Sequence, residues 1–181
     1  MTHTMTLRER YLGAPEFEAM LAAAEKNAEL WAAVWRRAEV SDDAVNRIAA
    51  LGGAWHLLVL SEDWCGDAVN TVPVVARLAD LAPNVDLRVL ARDENLDLMD
   101  SHLTGTSRSI PVVIALDQDF NEHGWWGPRP AALQQWVLGP GRELEKDARY
   151  REIRTWYARD RGRTSVEEIV AMMGGAKRVG V

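Results

Sequence analysis

Cys65 is the only cysteine in this chain of 181 residues, and its neighbours place it where a thiol could do chemistry. The apolar run Leu57-Leu58-Val59-Leu60 reads as a buried strand, and Ser61-Glu62-Asp63-Trp64-Cys65-Gly66-Asp67-Ala68 breaks it into a helix. A sulfur at the first turn of a helix lies near unpaired backbone N–H groups, which favour the thiolate and lower its pKa. Asp67 opposes that shift, as do Glu62 and Asp63 if they lie close, and the turn contains no Lys or His. The balance predicts a mildly depressed pKa for an accessible thiol. Ala68 stands three residues on, where a dithiol centre has its second sulfur, so an intramolecular disulfide is impossible. The chemistry left open is exchange with a disulfide, resolved by an external thiol, or oxidation to a sulfenic acid.

Fewer signals surround the thiol. Trp64 is either a lid beside the sulfur or a packing residue, and Asp67 is either a helix N-terminal acid or a proton acceptor. Arg92 and Arg108 lie at strand ends, where α/β sheets bind ligands, and could hold a carboxylate. Surface pairs with Asp93, Glu94 or Asp97 are the commoner fate of such arginines. His102, in a polar helix, could reach the site or belong to the scaffold. The four histidines have no metal-ligand spacing, which predicts no metal site.

The elements that must position Cys65 follow from periodicity. Phe17, Met20, Leu21, Ala24, Ala28, Trp31, Val34 and Trp35 recur at helical spacing and predict one long helix from Pro15 to about Ala38, with Pro15 in its first turn. Ser41 caps a shorter helix, which Gly52-Gly53 ends. Strands over Trp55 to Leu60, Val85 to Ala91 and Pro111 to Leu116 then alternate with helices over about Asp67 to Leu81 and Glu94 to Leu103. This alternation predicts parallel pairing. Phe120 to Trp125 reads as the antiparallel return of a hairpin, making the sheet mixed. Strand alternation sends one of Trp125 and Trp126 inward. A helix containing Leu133, Trp136 and Val137 ends at Gly139-Pro140-Gly141. A charged helix follows over about Arg142 to Arg161. The last helix carries a capping-box pattern at Ser165-Val166-Glu167-Glu168.

Composition bounds the function. The chain is 48% hydrophobic and 27% charged, with a net charge of -6. That balance argues against a nucleic-acid surface, and the arginines between Arg149 and Arg163 alternate with acids in the manner of a solvated helix face. The length suits one domain, and no apolar run approaches the roughly 20 residues of a membrane span. The opening residues lack an apolar signal core, so the expected location is cytoplasmic.

Three features in register resemble the thioredoxin-like superfamily. Trp64-Cys65-Gly66 is similar to the opening of that family's active-site turn, Pro73 to the proline in its first helix, and Ser109-Ile110-Pro111 to its cis-proline loop. A closer resemblance is to a bacterial branch with a lone cysteine in Trp64-Cys65-Gly66-Asp67-Ala68, with Arg92-Asp93-Glu94-Asn95 and with Trp126-Gly127-Pro128-Arg129. The resemblance covers about residues 54–137 of a single domain, 1–181, with helical extensions over 15–51 and 142–175. It implies an α/β thioredoxin-like fold, a central mixed sheet of about four strands flanked by helices.

It also implies Cys65 as the catalytic thiol, with Trp64, Gly66, Asp67, Ile110 and Pro111 binding substrate and with no metal or bound cofactor. Glutathione is the implied co-substrate, and the implied partner is a protein or peptide thiol or disulfide. If the Ile110–Pro111 bond is cis, the Ile110 backbone is turned outward to meet an extended peptide or glutathione. Val59 occupies the position of the family's buried strand acid. With Val59 and Ala68 in place of reactive groups, a second function stays open: a redox-inactive module that binds a protein or peptide. No pattern fixes the oligomeric state.

Overall fold

The computed structural model describes residues 4–175. Helices α1 (Leu7–Gly13), α2 (Phe17–Ala23), α3 (Ala28–Arg37) and α4 (Asp42–Ala50) precede β1 (Trp55–Ser61). Next come α5 (Gly66–Leu81), β2 (Val85–Ala91), a short 3-10 turn at Arg92–Glu94, α6 (Leu96–Asp100), β3 (Val112–Leu116) and β4 (Glu122–Trp126). Helices α7 (Ala131–Leu138), α8 (Lys146–Asp160) and α9 (Arg163–Met173) are the last among the described residues, with a 3-10 turn at Pro140–Glu143 before α8. Among the described residues no helix is long and apolar enough to cross a membrane.

The sheet order is β2-β1-β3-β4. The β1–β2 pair is parallel, as the alternation predicts, but β3 runs antiparallel to β1 and β4 antiparallel to β3. The expectation of parallel pairing therefore fails at β3, and the sheet is mixed. This direction decides where the site forms. With Leu60 opposite Val112, the N-terminal end of β3 lies beside the C-terminal end of β1. Ile110-Pro111 therefore arrives next to the loop carrying Cys65; a parallel β3 would have carried it to the far end of the sheet.

All four strands and the terminal helices share one hydrophobic core. Leu57 to Leu60 on β1 and Val112 to Leu116 on β3 are fully buried, flanked by Trp31, Ile48 and Ile169 from α3, α4 and α9. A second cluster, Leu133, Ile153 and Tyr157, joins α7 to α8.

Two helical expectations are corrected. The single helix over 15–38 is two helices, because the chain opens between Ala23 and Ala28, where Asn27 takes a left-handed conformation (φ 55). The break serves the loop that carries Cys65. The Asp63 carboxylate accepts hydrogen bonds from the Glu25 and Lys26 backbone N–H groups, each at 2.9 Å. The Asn27 amide and the Trp31 indole donate to the Asp63 carbonyl, at 3.2 and 2.9 Å. Periodicity could not reveal this, since both halves keep their apolar face toward the same core. Pro15 precedes the first turn of α2, whose N-cap is Glu16.

At the other end of the chain the capping-box pattern is not a cap. Gly162 is the N-cap of α9, and the Glu168 carboxylate instead accepts from the Ala131 backbone N–H and the Trp126 indole, at 2.9 and 2.7 Å. Glu168 thus supplies α7 with a partner for an N-terminal N–H group that its own N-cap, Pro130, leaves without a side-chain acceptor. Ser41 caps α4 as expected, accepting from the Ala44 N–H. Trp126 is buried and Trp125 half-buried, as strand alternation requires.

The Asp63 contacts give a first expected result. Asp63→Ala should destabilise the fold by only about 1 kcal/mol in urea unfolding, because the hydrogen bonds it accepts lie at the protein surface. The Lys26 N–H, then the Glu25 N–H and the Lys26 charge, hold the Asp63 carboxyl below its ordinary range. Its contribution is therefore complete above the unfolded-state pKa of about 3.9 and is lost as pH falls below it. A cost that persists undiminished in strong acid would refute the assignment.

Candidate functional site

The C-terminal end of β1 delivers Cys65 as the N-cap residue of α5. Its Sγ accepts from the Ala68 N–H at 3.5 Å and, as a thiol, donates to the Ile110 carbonyl oxygen at 3.5 Å. The Ile110–Pro111 peptide bond is cis. Cys65 is buried, only 8% exposed, which corrects the expectation of an accessible thiol.

The expected direction of its pKa is corrected as well. Burial pushes the Cys65 thiol up, the Asp67 charge adds to this, and hydrogen bonds from the Ala68 and Asp67 N–H groups and the Arg129 charge only partly offset it. An acceptor carbonyl facing the sulfur suits a protonated thiol and would repel a thiolate. Local sequence gave the helix terminus and Asp67; it held no sign of the desolvation imposed by the Ile110 loop.

Asp67 does not act on the sulfur as a free acid. Both of its oxygens are taken by Arg129, with Nε donating at 2.9 Å and the second guanidinium nitrogen 2.8 Å from the other oxygen. The Tyr157 hydroxyl donates to Asp67 at 2.7 Å, and Arg129 also donates to the Gln134 side-chain oxygen at 2.9 Å. Burial first, then Asp67, pushes the Tyr157 hydroxyl well above the usual tyrosine range, so it remains a donor. Asp67 thus has no lone oxygen with which to take a proton from Cys65.

Arg129 reaches this position through the β3–β4 hairpin. With Val113 opposite Trp126, the end of β4 returns to the Cys65 end of the sheet, and Gly127-Pro128-Arg129 runs past the Pro111 loop. Gly127 has φ 142, and a Cβ there would lie 2.1 Å from the Pro111 carbonyl oxygen. Glycine is therefore required where the two loops cross.

The rim is Trp64, half-exposed, with the Arg92 guanidinium 5.1 Å from its ring centroid. Arg92 also donates to the Arg108 carbonyl at 3.0 Å and pairs with Asp93. Arg108 forms two hydrogen bonds with Asp100, at 2.6 and 2.9 Å. Both arginines thus have acidic partners, and Arg92 ties the turn after β2 to the Ile110 loop. Gly66 is exposed at the first position of α5, and Pro111 is buried beneath the crossing loops.

His102 does not join the site. It is buried against β4, hydrogen-bonded to the Leu98 carbonyl at 2.8 Å and to the Glu122 carboxylate at 3.1 Å. Val59 is fully buried and Pro73 lies inside α5. No cluster of His, Cys, Asp and Glu among the described residues could hold a metal ion.

The structure thus brings together Trp64, Cys65, Gly66, Asp67, Ile110 and Pro111. Arg129, Gln134, Gly127 and Tyr157 are the additions that sequence reasoning did not assign to the site. Trp126-Gly127-Pro128-Arg129 stands out in the sequence only as part of the resemblance, which assigns it no role. Tyr157 lies in a charged helix well outside the resembling segment and carried no signal of its own.

Comparisons with known proteins agree with this fold. A family model described as Thioredoxin matches residues 14–153. A crystal structure of a protein of unknown function from Pseudomonas aeruginosa is similar, with a TM-score of 0.77 and 20% identity, covering 96% of this chain and 100% of that one. An HIV epitope-scaffold is similar at a TM-score of 0.75 and 19% identity, with the same coverage. At such identities the likeness concerns the fold alone. No curated protein matches the chain.

Proposed function

The chain belongs to the thioredoxin family, and from that premise we propose that it is a monothiol thiol-disulfide exchange protein acting through Cys65, in the single-cysteine branch marked by Trp64-Cys65-Gly66-Asp67-Ala68. The observation that carries this reading is the position of Sγ, between the first turn of α5 and the Ile110 carbonyl of the cis-proline loop. A substrate laid across the exposed Trp64 at the rim reaches Cys65 by displacing the thiol's contact with the Ile110 carbonyl, which then faces the incoming backbone.

The Cys65 thiolate attacks one sulfur of a substrate disulfide; the new S–S bond forms as the old one breaks, and the departing sulfur leaves as a thiolate that takes up a proton. An external thiolate such as that of glutathione then attacks the mixed disulfide, releasing Cys65 and carrying the substrate half away as a new disulfide. No net oxidant is consumed. The cytoplasm, our proposed location, supplies the resolving thiol, and the partner is a protein or peptide disulfide or glutathione itself.

Because the thiol pKa is raised, the thiolate is scarce at neutral pH and the attack is slow there. Alkylation of Cys65 by iodoacetamide should rise about tenfold per pH unit through the neutral range and still climb above about 8.5, where an ordinary thiol levels off. A plateau below neutrality would refute the buried, protonated thiol. In parallel, glutathione disulfide should form a mixed disulfide with the wild type at alkaline pH, and reduced glutathione should resolve it. If none forms at any pH, the exchange reading fails.

The same buried thiol favours a second reading, a redox-inactive module that binds a protein or peptide in this groove. Partner binding retained in Cys65→Ser, together with no mixed disulfide, would establish it over the first.

A further inference from the structure

A second feature lies away from the sulfur, where the C-terminal ends of α3 and α8 meet the starts of α4 and α9. A cleft of about 830 Å³ is lined there by Arg37, Arg159, Arg161 and Arg163, with Glu39 and Glu167. An adjoining pocket of about 270 Å³ shares Arg37, Glu39 and Arg161 and reaches Tyr157. The larger of the two falls within the range of small-molecule sites, about 300–1,000 Å³.

The sequence presents the arginines of α8 as a solvated face interleaved with acids. These arginines are indeed solvent-exposed, and the chain reversal decides how they are grouped. Arg161 (φ 56) and Gly162 (φ 78) are successive left-handed residues that turn α8 into α9, so Arg159, Arg161 and Arg163 converge on one cleft instead of dispersing around a helix. Arg37 joins them from the last turn of α3.

The negative charge nearby is mostly committed. Glu167 pairs with Arg47 at 2.6 Å, and Asp160 accepts from the Thr164 backbone and hydroxyl. Glu39 is the one lining carboxylate without a partner among the described residues. On the other side, the Arg163 guanidinium donates to the Asp160 and Arg159 carbonyls, which are neutral groups and leave its charge uncompensated. Arg37, Arg159 and Arg161 have no side-chain hydrogen bond or ion pair among the described residues. Complementing the helix dipole explains one cation at the end of α3 and one at the end of α8. It does not explain four around one cleft in a chain of net charge -6.

We infer that this cleft binds a small, multiply charged anion of the polyphosphate class, held by the guanidinium groups of Arg37, Arg159, Arg161 and Arg163. Planar guanidinium forks suit phosphate oxygens, and a site this size suits a nucleotide or a short phosphate chain rather than a nucleic-acid strand.

The test is calorimetric titration of the full chain with inorganic triphosphate at low salt. Saturable binding at one site is expected, weakened about tenfold or more by Arg37→Ala and by Arg161→Asn. Asparagine is chosen at 161 because it tolerates the left-handed backbone. Arg154→Ala removes an exposed α8 arginine outside the cleft and should leave binding unchanged, as should Cys65→Ser. Absence of saturable heat, equal weakening by Arg154→Ala, or tighter binding of single-stranded RNA than of triphosphate would each overturn the inference. Because Cys65→Ser retains the cleft, failure here is separable from failure of the thiol chemistry.

Discussion

Asp67→Ala should destabilise the protein by about 3 kcal/mol or more, measured as a shift in the urea unfolding midpoint at constant slope. The side chains of Asp67 and Arg129 are 14% and 19% exposed, so the substitution leaves a guanidinium largely out of water without its counter-charge. It also removes the acceptor of the buried Tyr157 hydroxyl. Breaking such a pair costs far more than the pair contributes relative to an apolar replacement. A second substitution, Arg129→Met, should therefore recover a large part of the loss, and the double-mutant cycle isolates the coupling. Tyr157→Phe removes a single hydrogen bond to a charged acceptor and should cost about 1.5 kcal/mol. A cost below about 1 kcal/mol for Asp67→Ala would mean that the pair behaves as a solvated surface bridge.

The same variant has a second readout at the thiol. Asp67 raises the Cys65 pKa and Arg129 lowers it. Removing the carboxylate ends the first effect and leaves the second unopposed, so both changes act in one direction. The thiol pKa should fall, and alkylation at neutral pH should be faster than in the wild type. Slower alkylation would contradict the electrostatic account even if the stability result held. Burial, the largest cause of the raised value, would remain.

Gly127→Ala is the second large effect, expected at about 3 kcal/mol or more, because an unfavourable backbone conformation and a steric overlap add. The φ of 142 disfavours any residue with a Cβ, and the added carbon would meet the Pro111 carbonyl oxygen at 2.1 Å and the Pro111 carbonyl carbon at 3.1 Å. These are backbone atoms of the loop that covers Cys65, so no side-chain rotation relieves the contact. Relief requires the two loops to separate. The variant should show faster Cys65 alkylation relative to its stability loss than a core substitution of equal cost, such as Ile169→Ala on α9. Wild-type stability and labelling rate in Gly127→Ala would refute the loop packing.

Much of the scaffold was legible because its signals are local. Ser41 announces α4 by its own hydroxyl, the bounds of β2 match its apolar run, and Cys65 sits at the strand-to-helix junction the sequence predicts. Family resemblance added the Ile110-Pro111 loop and the fold. The misreadings share a cause. The break between α2 and α3 is held by Asp63, Ser165 fails as a cap while Glu168 serves another helix, and the thiol is buried by a loop 45 residues away. Each depends on a partner distant in sequence.

By itself, then, the sequence determined that one thiol stands at a helix N-terminus with no second sulfur to resolve it, since residue identity and spacing along the chain decide both. Only the tertiary structure decided what that thiol is like. Because β3 runs antiparallel to β1, the Ile110 carbonyl and the returning Arg129 loop converge on the end of the sheet where α5 begins. Desolvation and the pairing of charges depend on distances through space, and periodicity along the chain does not carry them.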